Sequence, residues 1–172
     1  MNIEPETFAC ILPVPTPDGE FLARYSPKGL CGLEFPTGPK GRKRSRPTAP
    51  PPRQVLGWHA ATTNALSRAL AGRAPHRLPP LDLSRGTDFQ QAVWRRLCQI
   101  ACGQTRSYTQ LAQAVGRPKA VRAVGRACAA NPIPVLVPCH RLLAANGSLG
   151  GFSAGLDWKR ALLAREATAA RP

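Results

Sequence analysis

Residues 131–141 read NPIPVLVPCHR and lead the chain to one thiol, that of Cys139. An apolar run, residues 133–137, leads directly to Pro138, Cys139 and His140. Proline fixes its own φ and biases the preceding residue toward extended geometry, so the prolines of this stretch restrict the backbone. We predict a buried strand over 133–137 that ends in a stiffly held thiol. Such a setting suits a nucleophile better than a residue that only fills space.

Cys139 followed directly by His140 indicates an activated thiol, because the thiolate is the reactive species and a nearby imidazole can accept its proton. Adjacent residues of a strand point to opposite faces, so we expect this pair to sit where the chain turns. A cysteine–histidine dipeptide is not specific by itself. A buried structural thiol explains the pattern equally well.

The composition of the 172 residues fits one large domain or two small ones. The net charge of +15 favours a polyanionic partner, nucleic acid before anionic membrane. The chain has no apolar run long enough for a membrane span and no pattern of a secretory signal at its acidic N-terminus. The six cysteines show no regular framework, which favours free thiols. We expect a cytoplasmic, nucleoid-associated protein, nuclear if the host is eukaryotic.

Residues 1–83 predict a small N-terminal domain of strands and one helix. Its elements are expected at 7–12, 20–25, 30–35 and 55–70, with a short extended piece at 81–83. Residues 37–53 form a basic, proline-rich insertion that is expected to be solvated, with no specific function as its simplest interpretation. The domain boundary is placed after residue 83, so that residues 84–172 form the second domain.

The second domain opens with three predicted helices. Two begin with a capping-box pattern, Thr87 with Gln90 and Ser107 with Gln110. The third is predicted over 119–130 after a tight glycine-containing turn, which gives helix-turn-helix geometry with the helix before it. On this helix Val121, Val124 and Cys128 are expected to face inward. The candidates for DNA contact are two arginines and two small residues that permit close approach of a ligand backbone: Arg122, Arg126, Ala123 and Ala127.

The last helix, predicted over 158–169 with Asp157 as its N-cap, carries an acid on its apolar stripe. Leu162 lies on this stripe, and Glu166 occupies the next position. A buried acid needs a partner, and His140 is the candidate. A frayed surface acid near the terminus explains the spacing equally well.

Taken together, these segments closely resemble the O6-alkylguanine-DNA alkyltransferase family. Residues 131–141 match the family's active-site signature, and the Pro-Cys-His-Arg core is highly specific in this context. The remaining matches lie at 107–112, 117–120, 122–125, 150–153 and 162–166. The resemblance covers residues 84–167 almost without gaps. Residues 1–83 resemble the family's N-terminal domain only in general layout.

The resemblance implies a mixed α/β fold. A small α/β domain, ribonuclease H-like in the family, would precede a mainly helical, winged-helix-like domain with a helix-turn-helix. It also implies a monomeric, cofactor-free DNA-repair protein that is spent in one turnover. Such a protein moves an alkyl group from O6 of guanine, or less readily from O4 of thymine, to its own cysteine. Since O6 lies on the base-pairing edge, the base must be flipped out of double-stranded DNA, which the family contacts through the minor groove.

By the same resemblance, Cys139 accepts the alkyl group after activation by His140 and Glu166. Tyr108 would assist base flipping and protonate the departing guanine. Asn131 would order the hinge between the helix-turn-helix and the active-site strand.

The resemblance also assigns residues to the duplex and to the guanine pocket. Arg122 would enter the duplex and fill the space left by the flipped base, whereas Arg141 would be structural. Three residues would line the guanine pocket: Val137, Phe152 and Ser153. Ala154 stands where some members have glycine, and we expect it to disfavour bulky alkyl groups such as benzyl.

Alternatives from other classes stay open at this point. A non-enzymatic alkyl-lesion-binding protein or a winged-helix regulator would explain the helices and the charge, but not Cys139. A cysteine–histidine hydrolase is disfavoured by the basic helix-turn-helix. No metal site is expected, because Cys10, Cys31, His59 and His76 lack the close spacing of metal ligands.

Overall fold

The computed structural model describes residues 10–36 and 50–169. The first part of the chain contains β1 Cys10–Thr16, β2 Gly19–Ser26, β3 Gly29–Glu34 and α1 Arg53–Leu70. The second part contains α2 Asp88–Leu97, β4 Arg106–Ser107, α3 Tyr108–Ala114, α4 Val121–Ala129, β5 Leu142–Leu143 and α5 Leu156–Ala169. The predicted mixed α/β class is confirmed. None of the helices in the described ranges combines the length and the hydropathy of a membrane-crossing helix.

The first three strands form an antiparallel meander in the order β1-β2-β3. The predicted end of the first strand at residue 12 is wrong, because β1 continues to Thr16 and the chain turns only at residues 17–18. Leu12 and Val14 point into the core while Pro13 and Pro15 are exposed. Proline is tolerated there because β1 is an edge strand. Predicted strand residues 7–9 and most of the predicted insertion, residues 37–49, lie outside the described residues.

Helix α1 packs its apolar side, which includes Val55 and Leu66, into the same core as the sheet. The predicted extended piece at 81–83 makes a parallel bridge between Leu81 and Leu30 of β3. β3 also reaches the cysteine segment, since the Leu33 N–H donates to the Pro132 carbonyl over 2.9 Å. The N-terminal strands therefore support the backbone that leads to Cys139.

Helices α2, α3 and α4 pack against one another. Both predicted capping boxes are present, at Thr87 and at Ser107. Helix α4 begins two residues later than predicted, because residues 117–120 form a turn closed by the Ala120 N–H on the Arg117 carbonyl. Two consecutive helices joined by a short connection are thus present, as expected.

The predicted strand over 133–137 is wrong. The segment is buried, but it turns back on itself through a hydrogen bond from the Val137 N–H to the Ile133 carbonyl, with Val135 at φ 74°. Proline at 134 has no N–H to donate to a strand ladder, which favours a turn over a strand. The chain then forms a single 3-10 turn, Cys139–Arg141. The expected change of direction at the Cys–His pair is confirmed.

Helix α5 connects the two parts of the molecule. It begins at Leu156, so Asp157 lies in its first turn, paired with Arg160, and is not the predicted N-cap. Trp158 packs against Phe35 with ring centroids 4.8 Å apart, and Phe35 also contacts Phe152 at 5.8 Å. The helix that carries Glu166 is therefore held against the N-terminal sheet.

Candidate active site

Glu166 and His140 form a buried pair beside Cys139. His140 Nε2 lies 2.8 Å from Glu166 Oε1, and the two side chains are 1% and 2% exposed. The predicted pairing is confirmed, and a frayed surface acid is excluded. A carboxylate only accepts hydrogen bonds, so Nε2 carries the ring hydrogen and donates it to Glu166.

Glu166 receives further hydrogen bonds that the sequence did not predict. Arg141 donates from Nε to both carboxylate oxygens over 3.1 Å and from Nη2 to Oε1 over 2.9 Å, while the Gly103 N–H donates to Oε2 over 3.0 Å. Burial raises the pKa of Glu166, but the hydrogen bonds from His140 and Arg141 outweigh it and lower the pKa to about 2. Arg141 is therefore part of the site, as the ion-pair partner of Glu166.

His140 is held in its neutral form, with one ring nitrogen free to accept a proton. Burial lowers its pKa, and the hydrogen bond from its ring to Glu166 only partly opposes that effect. Its Nδ1 atom is buried and has no hydrogen-bond partner among the described residues. With the hydrogen on Nε2, the free lone pair of Nδ1 is the position at which the neutral imidazole can accept a proton.

The Cys139 thiol is 5% exposed and lies against Asn131. Burial raises its pKa, whereas the hydrogen bond from Asn131 Nδ2 to Sγ, 3.1 Å long, and the charge of Lys159 lower it. Asn131 also donates to the Val137 carbonyl and accepts from the Ile133 N–H. Asn131 therefore lies at the junction that follows α4 and fixes both the turn and the sulfur.

Lys159 is a second cation that the sequence analysis missed. Its side chain is completely buried, and Nζ donates to the carbonyl oxygens of Leu142, over 2.5 Å, and Leu149. Burial lowers its pKa, opposed by the nearby thiols. Helical spacing could have revealed its burial. Lys159 precedes Leu162 by three residues and Glu166 by seven, and so it shares their helix face.

A cavity of about 590 Å³ opens next to Cys139. Tyr108, Arg122, Phe152 and Ser153 line it, and of these Phe152 and Ser153 are residues that the resemblance assigns to the guanine pocket. Val137 is fully buried and does not line it, because the turn at 133–137 directs its side chain into the core. The other lining residues include Thr109, Val121, Gly125 and Cys128.

Tyr108 forms one wall of this cavity. Burial raises its pKa, so the phenol carries its proton at neutral pH. Gly150 lies directly against the ring, since a Cβ at that position would come within 3.2 Å of the Tyr108 side chain. The loop that carries Phe152 can therefore approach Tyr108 closely because residue 150 is glycine.

The exposed face of α4 carries Arg122 and Arg126, and Ala123 is half-buried. The assignment of Ala127 to DNA contact is wrong. Its side chain is 1% exposed, and its carbonyl accepts a 2.8 Å hydrogen bond from Trp94 Nε1. Ala127 thus packs against α2, on the inner side of the helix.

Sequence comparisons point to one family. Residues 88–168 match the family described as 6-O-methylguanine DNA methyltransferase, DNA binding domain. The chain is 37% identical over 158 residues to the methylated-DNA–protein-cysteine methyltransferase of Methanosarcina barkeri, covering 89% of this chain and 94% of that protein. It is 56% identical over 88 residues to the bifunctional transcriptional activator/DNA repair enzyme Ada of Escherichia coli, covering 51% of this chain and only 25% of Ada.

A solved structure extends the likeness to the fold. Mycobacterium tuberculosis OGT, crystallised in complex with DNA, superposes with a TM-score of 0.74 at 37% identity over 91% of each chain. The fold, the buried Glu166–His140 pair beside a thiol and these matches agree. The chain belongs to the methylated-DNA–protein-cysteine methyltransferase family.

Proposed function

We propose that this protein repairs DNA by direct reversal, moving a methyl or other alkyl group from O6 of guanine, and less readily from O4 of thymine, irreversibly to Cys139. The observation that carries the proposal is the Glu166–His140 pair buried beside a thiol at the edge of a cavity. Relatives named as methylated-DNA–protein-cysteine methyltransferases support it. The thiol is consumed, so each molecule acts once.

Activation of the thiol begins at His140. Nδ1 takes the proton of Cys139, directly or through a water, and Glu166 stabilises the imidazolium that forms. The resulting thiolate attacks the alkyl carbon, so that a carbon–sulfur bond forms while the carbon–oxygen bond to guanine breaks. The electron pair of the broken bond stays on the base, and the Tyr108 hydroxyl supplies the proton that leaves it neutral. The Tyr108 phenolate then recovers a proton from the His140 imidazolium by way of solvent, so that both groups return to their neutral forms. Asn131 holds the sulfur during transfer.

The thiol does not need a low pKa before the lesion arrives. A buried, neutral Cys139 next to a neutral His140 avoids the cost of two isolated charges in a desolvated site. The proton is transferred only when an alkyl carbon lies in front of the sulfur. A resting thiol whose pKa is raised by burial is therefore compatible with a reaction that uses a thiolate.

We also propose how the lesion reaches the sulfur. Double-stranded DNA would be bound from its minor groove by α4, with Arg122 and Arg126 facing the duplex and Ala123 permitting close approach. Arg122, which is exposed and also borders the cavity, would fill the space left by the flipped base. Phe152 and Ser153 would contact the guanine. The protein would bind as a monomer.

The finer description of the architecture belongs to the same proposal. We place the boundary after residue 83, between a ribonuclease H-like N-terminal domain and a winged-helix-like domain that spans residues 84–172. Support comes from the meander packed on α1 before that point, and from three helices with the short β4–β5 pairing after it.

The proposal is tested by mixing the protein with a duplex that carries one O6-methylguanine and recording intact-protein and peptide masses. One added methyl on the peptide that contains Cys139, with restored guanine in the DNA, is the expected result. Tight binding without a mass gain would instead favour the lesion-binding alternative.

A further inference from the structure

The N-terminal part of the chain binds helix α5 through Arg165, the residue next to Glu166. Arg165 donates from Nη1 and Nη2 to the two carboxylate oxygens of Asp18, both over 2.7 Å, and from Nη1 to the Leu70 carbonyl over 3.0 Å. Asp18 lies in the β1–β2 turn, 147 positions away in the chain. A bidentate arginine–carboxylate pair fixes direction as well as distance.

A backbone contact between Gly72 and helix α5 adds to this ion pair. Gly72, just after α1, has φ 73°, and a Cβ added there would lie 2.3 Å from the Arg165 carbonyl oxygen and 2.9 Å from the Glu166 nitrogen. The α1 end thus rests directly on the peptide bond that joins Arg165 to Glu166. The Gly72 carbonyl in turn accepts a hydrogen bond from the Cys102 thiol, over 3.2 Å.

These contacts hold Glu166 from its main chain, whereas His140, Arg141 and Gly103 hold it only through its carboxylate. A side chain whose hydrogen bonds are all made by its carboxylate still moves when its helix is displaced. Small displacements of a catalytic group are costly, because transfer requires near-attack geometry. The backbone of α5 must therefore be fixed independently if the Glu166–His140 distance is to be kept.

We propose that Arg165 and Asp18 are positioning residues for alkyl transfer, through which the N-terminal sheet sets the place of Glu166 behind His140. The inference rests on the proposed function and adds to it a role for the N-terminal domain that needs no contact with DNA. Both groups are partly exposed, so their ion pair contributes little to stability for its charge alone. Its effect is expected in the chemistry.

The test compares Asp18→Asn with Asp157→Asn in single-turnover methyl transfer from duplex O6-methylguanine. Asp157 pairs with Arg160 on the exposed side of the same helix, and so it is a matched control. We expect Asp18→Asn to slow transfer by roughly tenfold and to shift the rising limb of the pH–rate profile to higher pH. The DNA dissociation constant should not change. Asp157→Asn should behave as wild type.

Two further variants make the outcome decisive. Asp18→Glu keeps the carboxylate and should recover most of the rate. Arg165→Lys keeps the charge without the paired bonds and should reproduce the upward pH shift even if Asp18→Asn fails to fold. A wild-type rate and pH profile in the folded Asp18 or Arg165 variants would overturn the inference. Failure of the wild-type protein to transfer methyl would overturn the proposed function instead.

Discussion

His140 and Glu166, 26 positions apart in the chain, meet at 2.8 Å in the interior behind the Cys139 thiol. The direction of their hydrogen bond leaves Nδ1 of His140 as the acceptor for a proton. Arg141 already neutralises Glu166, so the pair carries no excess negative charge at rest. The following predictions test this arrangement and its surroundings.

Cys139→Ser should abolish alkyl transfer and leave DNA binding intact, because a serine hydroxyl in the same place is a far weaker nucleophile. The matched control is Cys128→Ser. Cys128 lines the same cavity and burial raises its pKa to about 12, but the Glu166–His140 pair and the Asn131 hydrogen bond serve Cys139, so Cys128 is not expected to accept the alkyl group. Peptide mass spectrometry and fluorescence anisotropy report the two properties. A methyl group on Cys128 in the wild type would contradict the assignment.

Glu166→Gln should slow transfer by roughly 100-fold, since the imidazolium loses its counter-charge and proton removal from Cys139 becomes harder. The same change leaves Arg141 buried without its carboxylate. Loss of one partner of a buried ion pair lowers the free energy of unfolding by about 3–5 kcal/mol. Stopped-flow transfer and urea unfolding measure the two effects. A full transfer rate in the folded variant would remove Glu166 from the mechanism.

Acid should destabilise the fold in two stages. The pKa of His140 is lowered from 6.5, so its stabilising effect is complete above pH 6.5 and is lost below it. The pKa of Glu166 is lowered from 4.5 to about 2, so its contribution is lost between these values. By linkage, that second loss amounts to about 3 kcal/mol. Denaturant unfolding at pH 7, 5.5, 4 and 2.5 should show stability that falls at each step, and stability that rises on acidification would be inconsistent with this.

Arg122→Ala should slow transfer from duplex DNA by more than it weakens binding, because Arg122 is proposed to occupy the space of the flipped base. Arg126→Ala is the control one helical turn away. Arg126 is also exposed, but it does not border the cavity, and its loss should weaken binding and transfer alike. Dissociation constants and single-turnover rates separate the two effects. Equal losses for both variants would argue against an intercalating Arg122.

Ala154→Gly should improve benzyl transfer relative to methyl transfer, if residue 154 limits the room for large alkyl groups. The side chain is half-buried and follows Phe152 and Ser153, which border the cavity, but it does not itself line the cavity. Any effect of residue 154 on the cavity must therefore be transmitted by the loop that carries Phe152 and Ser153. The ratio of the two single-turnover rates is the measurement, and an unchanged ratio would mean that residue 154 has no part in selectivity.

Local rules predicted much of this protein. Capping boxes located α2 and α3, and helical spacing placed Glu166 on a buried face, from which its partnership with His140 followed. The same spacing missed Lys159, because a lysine on an apolar stripe is rarely read as buried. Ala127 was misassigned because its small size suggested room for DNA, although its spacing of three residues from Val124 places it on the inward face of the helix.

The burial of the segment before Cys139 could be predicted from its composition, but the course of its backbone could not. An apolar run between prolines predicts burial, and residues 133–137 are buried. Hydrophobicity alone does not distinguish an extended segment from a turn packed in the core. The segment forms a turn because local hydrogen bonds satisfy its backbone in place of a strand partner: Asn131 bonds to the Ile133 N–H and to the Val137 carbonyl.

Val135 stands in this turn at φ 74°, a conformation that β-branched residues rarely adopt and that costs of order 1–3 kcal/mol. Glycine would relieve that cost, but it would also loosen the backbone four residues before the reacting sulfur. Val135 is also only 2% exposed, so glycine would give up a buried side chain as well as the strain. The strained valine therefore combines core burial with a stiff backbone shortly before the sulfur, two contributions that a relaxed glycine would not supply together.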